Sequence, residues 1–364
     1  MTKSVEIKEP IFFINENREW GGGEKMFMWL SKKLYAEGYD IRYCMLYRND
    51  TIDTDPILTH YLDFKFYNSY LLRNLWYFSV GTVRLARFIR KNNIKRIVCF
   101  GFNSFYTLGF LKFFMGFKLL VSERGDPKKK RLSGLRKILF AASDGAVFQT
   151  YGAKGFYDKN KEERSFVIPN PVPLPLESWN DLDGQFNVIS VGRIDFEQKR
   201  QDLLVRAFSK VVQIIPSAKL YIAGSGADAS RLEEMIKMYN IHENVELWGF
   251  QKDVISCLKR ANVFVLSSDF EGIPNSLLEA MAFGMPVVST DCTPGGAAML
   301  IGDNENGILV HRNDADELAK GIIALLEDKE MRQYYAAHAR KAMQKYDESM
   351  IISKWKAVVN KTFD

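Results

Sequence analysis

Short apolar runs of strand length recur along the whole chain, and between them lie longer stretches whose apolar residues return at helical spacing. In the first half these runs are residues 11–15, 40–46, 96–100, 118–122 and 145–149, with a helical stretch at 23–37 between the first two. The second half repeats the plan with 186–191, 219–223, 244–248, 263–266 and 286–290, each beside a helical stretch. Apolar runs without alternation belong to strands buried on both faces, so the pattern predicts mostly parallel sheets covered by helices on either side. The run FYTLGFLKFFMGFKLLV (105–121) is interrupted by Lys112, Gly116 and Lys118. It reads as a helix followed by a strand, and no transmembrane segment is expected.

At 364 residues the chain exceeds what one core usually holds. The repeated pattern therefore gives an α/β fold class of two doubly wound, Rossmann-like parallel-sheet domains. Residues 168–175, IPNPVPLP, predict an extended, stiff connection that serves as the hinge. The expected boundaries are 1–170, 171–345 and a closing segment 346–364. Open parallel sheets bind ligands beyond the carboxyl ends of their strands, which puts the expected site in a cleft between two facing domains.

Composition narrows the picture. Hydrophobic residues make up 47% of the chain, as in a globular protein, and the polar start MTKSVEIKEP has no leader-like apolar core, so a cytoplasmic protein is expected. Cys44, Cys99, Cys257 and Cys292 are scattered, without a C-x-x-C pair or nearby histidines. That spacing argues against a disulfide framework and against a zinc site, and neither a metal nor a cofactor is expected. Residues 1–172 hold 29 Lys and Arg against 17 Asp and Glu, while the rest hold 21 and 27. A basic half points to an anionic partner: nucleic acid, an anionic membrane surface or a phosphorylated substrate. Between 64 and 96, Tyr67, Tyr70, Trp76, Tyr77 and Phe78 mix with Arg73, Arg84, Arg87, Arg90, Lys91, Lys95 and Arg96, a composition that suits a membrane interface. An amphipathic helix with a solvated basic face has the same composition. No nucleic-acid partner is expected.

The densest candidate chemistry lies in DFEGIPNSLLEAMA (269–282), where Glu271 precedes a helix and Glu279 lies on it. Pro274 presets a first helical turn, and the helix start at Ile273, Pro274, Asn275 and Ser276 offers backbone N–H groups to an anion. The carboxylates would take hydroxyls and the amides phosphate. Arg193 follows a predicted strand and Lys199 lies in the next loop, a fork and a point charge suited to a diphosphate. Gly224, Ser225 and Gly226 form a turn that lets backbone approach a ligand, although a plain strand-to-helix turn needs the same residues. Phe250 and Val254 flank the end of another strand. In the first half Gly22 and Gly23 open a helix after the first strand. Glu123, Arg124 and Asp126 of SERGDP end a further strand before the basic run at 128–131, and are candidate acceptor contacts. The four histidines do not cluster.

These motifs, in this order, resemble family 4 of the retaining glycosyltransferases. The likeness runs from WGGGEK through GRIDFEQKRQ (192–201) and AGSG to FEGIPNSLLEAMAFGMPVVSTDCTPGG (270–296). It implies the two-domain glycosyltransferase B fold. It also implies that Arg193 and Lys199 bind the donor diphosphate, that Glu271 contacts the transferred sugar and Glu279 the ribose, and that the nucleobase lies near 249–254. Gly22 and Gly23 would approach the donor phosphates or sugar, and the last helix, around 350–359, would pack back toward the first domain. Many members carry a histidine after the strand that here ends in Val121-Ser122-Glu123; this chain has none, so the acceptor-side base stays open. SERGDP and CTPGGAAMLI look most like bacterial enzymes of surface-polysaccharide synthesis acting on lipid-diphosphate-linked sugars. The expected activity is metal-independent, retaining transfer of a hexose or N-acetylhexosamine, from a UDP-sugar, to a lipid-linked glycan at the inner face of the membrane. An epimerase of nucleotide sugars on the same fold, or a non-catalytic donor- or membrane-binding protein, are the alternatives.

Overall fold

A computed structural model describes residues 9–16, 22–49, 52–65, 67, 69–100, 102–129, 133–157, 162–302 and 304–364. The chain divides into two compact units. The first comprises Met1–Gln149, Ala153–Ile168 and Ile352–Asp364, and the second Thr150–Gly152 and Pro169–Ile351.

In the first unit the order is β1 (Ile11–Asn15), α1 (Gly22–Ala36), β2 (Ile41–Met45), β3 (Thr59–Tyr61), α2 (Tyr70–Trp76), a π-helical turn (Tyr77–Gly81), α3 (Thr82–Lys91), β4 (Arg96–Phe100), α4 (Phe102–Lys112), β5 (Lys118–Glu123), α5 (Ser133–Ala142), β6 (Gly145–Phe148), α6 (Tyr151–Tyr157) and β7 (Ser165–Val167). The first residues of α6 are grouped with the second unit. The seven strands form one parallel sheet in the order β3-β2-β1-β4-β5-β6-β7.

The second unit continues with β8 (Asn187–Val191), α7 (Gln201–Ile214), β9 (Lys219–Ala223), α8 (Ala229–Met238), β10 (Val245–Gly249), α9 (Val254–Leu258), β11 (Val263–Leu266), α10 (Asn275–Phe283), β12 (Val287–Thr290), α11 (Gly296–Ile301), β13 (Ile308–Val310), α12 (Ala315–Glu327), α13 (Lys329–Met343) and α14 (Glu348–Phe363). Its parallel sheet has the order β10-β9-β8-β11-β12-β13. In each sheet the winding reverses beside the first strand, at β1/β4 and at β8/β11. This is the position where strand-end loops diverge and leave room for a ligand.

The doubly wound class follows from how the strands are buried. Along β8, β9 and β11, Val188, Leu220, Ile222, Val263 and Val265 belong to one apolar cluster, while Ile189, Tyr221, Phe264 and Leu266 belong to another. Successive side chains thus enter opposite cores, so apolar residues follow one another along these strands, with Asn187 and Ser190 of β8 and Lys219 of β9 as their polar positions. The ten predicted strands match observed ones to within a residue or so at each end. The three that sequence reading missed, β3, β7 and β13, have three residues each and lie at sheet edges. One layer of neighbours demands less apolar character, and the run is too short to show a period.

The proline-rich stretch is extended and fastened to the second unit: Val172 N–H donates to Tyr346 O (2.9 Å), and Arg340 Nη2 donates to Pro175 O (2.8 Å). The last helix belongs to the second unit up to Ile351 and to the first from Ile352. In the first, Trp355 is fully buried and stacks on Phe100 (centroids 6.0 Å apart). Among the described residues no helix is long and apolar enough to cross a membrane.

Candidate functional site

The loops that leave the carboxyl ends of β8 and β11 interlock at the reversal point of the second sheet. After β8 the chain turns through Gly192 and Arg193 to Asp195, whose Oδ1 accepts the N–H groups of Glu197 and Gln198 (3.1 and 3.0 Å). This is an Asx-type turn, and it aims the next side chains back at the strand ends. Arg193 stays exposed and is braced by Asp195 Oδ2 (2.9 Å) and Gln198 Oε1 (3.1 Å). Lys199 folds inward, and its Nζ lies 2.5 Å from Glu271 Oε1.

Glu271 is 8% exposed and sits in the loop after β11, pinned by its N–H to Thr293 O (2.7 Å). Its carboxylate accepts three donors: Lys199, Ser268 Oγ (3.1 Å) and Gln198 Nε2 (3.3 Å). Gln198 is therefore a bridge between Arg193 and Glu271. The group is a buried carboxylate with one ammonium against it and a solvent-facing guanidinium one residue contact away. A phosphate brought to this site would compete with Glu271 for Lys199, since both are oxyanions seeking the same donor.

Beyond Glu271, Pro274 precedes α10 in an extended conformation with no side-chain cap. The first-turn N–H groups of a helix have no intrahelical acceptor, and the macrodipole favours an anion there. Ser276 Oγ is shielded from solvent and has no hydrogen-bond partner among the described residues. A buried hydroxyl at a helix start favours a ligand acceptor. Asn275 differs, because its Oδ1 accepts from Asn170 Nδ2 (2.6 Å). Ile273 is buried in the apolar core, so it positions the loop by packing. Glu279 is half-buried on α10, Val254 packs against the same core, and Phe250 is 77% exposed after β10.

The glycines of AGSG serve loop packing. A Cβ on Gly224 would lie 1.9 Å from Gly192 O, and one on Gly226 1.9 Å from Ile194 O. The two loops pair through Gly192 N–H to Ala223 O and Ile194 N–H to Ser225 O, both 3.0 Å. These glycines therefore set the height of the Arg193 loop above the sheet. Gly226→Ala is expected to cost about 1–3 kcal/mol through overpacking against backbone. A urea midpoint equal to that of the native chain would contradict this.

In the first unit Gly22 and Gly23 open α1, and a Cβ on Gly23 would meet nothing within 4 Å. Packing does not require a glycine there. Gly21 lies outside the described residues, as do Lys130 and Arg131 of the basic run. The three candidate acceptor contacts are turned into the first unit. Glu123 is 4% exposed and forms a buried ion pair with Arg136. Tyr157 OH also donates to it (3.3 Å). Burial alone would pull the Arg136 pKa down, but Glu123 and Tyr157 outweigh it and hold the guanidinium above its usual value. Arg124 is turned inward over the rings of Phe100 and Trp355 (5.2 and 5.3 Å), and its Nη1 donates to Ile168 O (3.5 Å). Asp126 is buried and accepts Lys128 N–H (2.8 Å). The charges of all three have internal partners.

Sequence reading passed over Asp195, Gln198 and Ser268. The Asp-x-x-Gln spacing of an Asx turn between Arg193 and Lys199 was the available signal. Among the described residues no group of three or more His, Cys, Asp or Glu side chains is placed to hold a metal ion.

With this geometry in view, the comparisons with known proteins are specific. Residues 177–342 match the family model described as glycosyl transferases group 1. An uncharacterized glycosyltransferase of Methanocaldococcus jannaschii is 31% identical over 295 residues, 67% of this chain and 72% of the relative. The N-acetylgalactosamine-N,N'-diacetylbacillosaminyl-diphospho-undecaprenol 4-alpha-N-acetylgalactosaminyltransferase of Campylobacter jejuni is 34% identical over 164 residues, 45% of this chain and 44% of the relative. The chain spans about half or less of several other curated relatives. Among solved structures, Anabaena HepE in complex with UDP-glucose superimposes with a TM-score of 0.79 at 17% identity, covering 96% of this chain and 99% of that one. At such identity the likeness establishes the fold, two Rossmann-like units of glycosyltransferase B type.

Proposed function

The chain belongs to the group 1 glycosyl transferases, and from that premise we propose that it moves a hexose or N-acetylhexosamine from a UDP-sugar to a lipid-linked glycan in surface-polysaccharide synthesis, with retention and without a metal ion. The observation that carries the reading is the Lys199–Glu271 pair at the start of α10, with Arg193 joined to it through Gln198. Donor diphosphate, sugar and helix N-terminus have matching groups there. The names of the relatives support the finer choices: HepE was solved with UDP-glucose, and the Campylobacter enzyme acts on a diphospho-undecaprenol substrate.

In this mechanism the diphosphate displaces Glu271 from Lys199 and takes Arg193 and the first-turn N–H groups of α10 as further donors. Glu271, released, accepts sugar hydroxyls; Glu279 accepts those of the ribose; Phe250 and Val254 border the base. The bond from the anomeric carbon to the phosphate oxygen breaks as that to the acceptor oxygen forms on the same face. The acceptor proton passes to the departing phosphate oxygen. Catalysis is then positioning plus stabilisation of charge on the leaving group. Glu123, Arg124 and Asp126 support the acceptor side from inside the first unit.

The test is a panel of UDP- and GDP-sugars incubated in EDTA with a lipid-diphosphate-linked sugar, reading nucleotide release and the anomeric proton of the product. Turnover of one UDP-sugar with retained configuration is expected. Inversion, a requirement for added divalent metal, or turnover of GDP-sugars alone would overturn the corresponding part.

A further inference from the structure

We infer that the outer face built by α2, α3 and the turn after α4 in the first unit docks onto a bilayer carrying anionic lipid. The inference rests on the reading above only in that a lipid-carried acceptor gives this surface its use. Residues 64–122 contain ten Lys and Arg and no Asp or Glu. A solvated helical face usually interleaves both signs, whereas a single sign over this length builds a positive field reaching about a Debye length, ~8 Å at physiological salt.

The fold exposes both components needed at an interface. Phe113 and Phe114, in the turn after α4, are 58% and 67% exposed, and Leu72, Leu75 and Phe78 are about half exposed along α2 and the π-turn. Phe78 meets Tyr106 of α4 (centroids 6.4 Å apart), and Phe110, one turn further along α4 and also exposed, meets Phe114 (5.2 Å), so the two apolar stretches adjoin along this helix. Among the described residues Arg96 pairs with Glu9 and Lys112 with Asp144. Arg90, Lys91 and Lys95 are exposed and have no carboxylate partner among the described residues. Arg90 and Lys95 line the same surface hollow as Phe114.

Apolar tips can therefore enter the acyl boundary while the cations beside them meet headgroup phosphates. Charge complementarity selects this occupant. A second copy seated symmetrically on the same face would bring like charges together, and nucleic acid would leave the phenylalanines uncovered.

The experiment is sedimentation of the full chain with vesicles of phosphatidylcholine alone or mixed with phosphatidylglycerol. The native chain is expected to pellet only with the phosphatidylglycerol mixture. Each charge near the surface carries about a fivefold factor in partitioning, so Arg90→Glu combined with Lys91→Glu should lower it by about 25-fold or more. Phe113→Ser combined with Phe114→Ser should also release the chain. Both variants alter exposed positions and should keep the nucleotide release of the native chain. Failure of the native chain to bind, binding by both variants like the native chain, or loss in the phenylalanine variant of a dimer that the native chain forms would each overturn the docking. Absence of nucleotide release from the native chain would instead strike the donor reading, leaving the vesicle result to stand by itself.

Discussion

Lys199→Ala lowers sugar-transfer turnover by about 30- to 1000-fold, the range that corresponds to loss of about 2–4 kcal/mol of transition-state stabilisation. The ammonium is mostly buried and already lies against an oxyanion, that of Glu271, so it works where solvent screening is weak. The departing diphosphate gains charge only as the glycosidic bond breaks, and the loss should therefore fall mainly on kcat. Adding Arg193→Ala deepens it by less than a second full factor. Arg193 is more exposed and shares its fork with Asp195 and Gln198, and groups acting on one leaving group are not additive. Single-turnover rates of the two single variants and the double variant measure this. A Lys199→Ala rate within twofold of native would remove the residue from the mechanism.

Glu123→Ala destabilises the chain by about 3–5 kcal/mol, because it leaves the Arg136 guanidinium, whose side chain is 3% exposed, buried without its carboxylate. The rings of Phe105, Tyr106 and Phe140 surround that guanidinium at 5.0 to 5.8 Å. They offer cation–π attraction but no counter-charge. Replacing both partners at once, Glu123→Leu with Arg136→Met, should recover most of the loss, since paired apolar groups of similar size substitute well for a buried ion pair. Urea unfolding of the three proteins decides it. A double variant as unstable as Glu123→Ala would mean that the pair holds the fold by more than mutual neutralisation.

The fold was legible where burial was symmetric. Residues 11–14 of β1, 97–100 of β4, 220–223 of β9 and all of β11 are consecutive apolar residues because both faces are covered, and the strands could be located from that alone. β3, β7 and β13, each covered by a sheet neighbour on one side, left no such trace. At the site, Arg193, Lys199 and Glu271 were legible because charged residues at predicted strand ends stand out from the apolar runs. Gln198 and Asp195 were not: a polar residue in a loop carries no period, the role of Gln198 depends on Glu271, 73 positions away, and Asp195 acts through the local turn that it caps. The same blindness affected SERGDP. Glu123 and Arg124 read there as acceptor contacts at a strand end, and nothing local shows that Arg136 lies beside the one and Trp355 of the last helix beside the other. Gly224 and Gly226 read equally well as a ligand cradle and as a turn, and the choice turned on two backbone oxygens contributed by the neighbouring loop.

The central claim is that the loops after β8 and β11, with the start of α10, form the donor site. Hydrogen–deuterium exchange of the full chain with and without a UDP-sugar tests it most directly. Slowed exchange in peptides covering residues 192–199 and 269–279, with no change across 64–122, is the predicted result. Unchanged exchange in both of those peptides at saturating donor would contradict it.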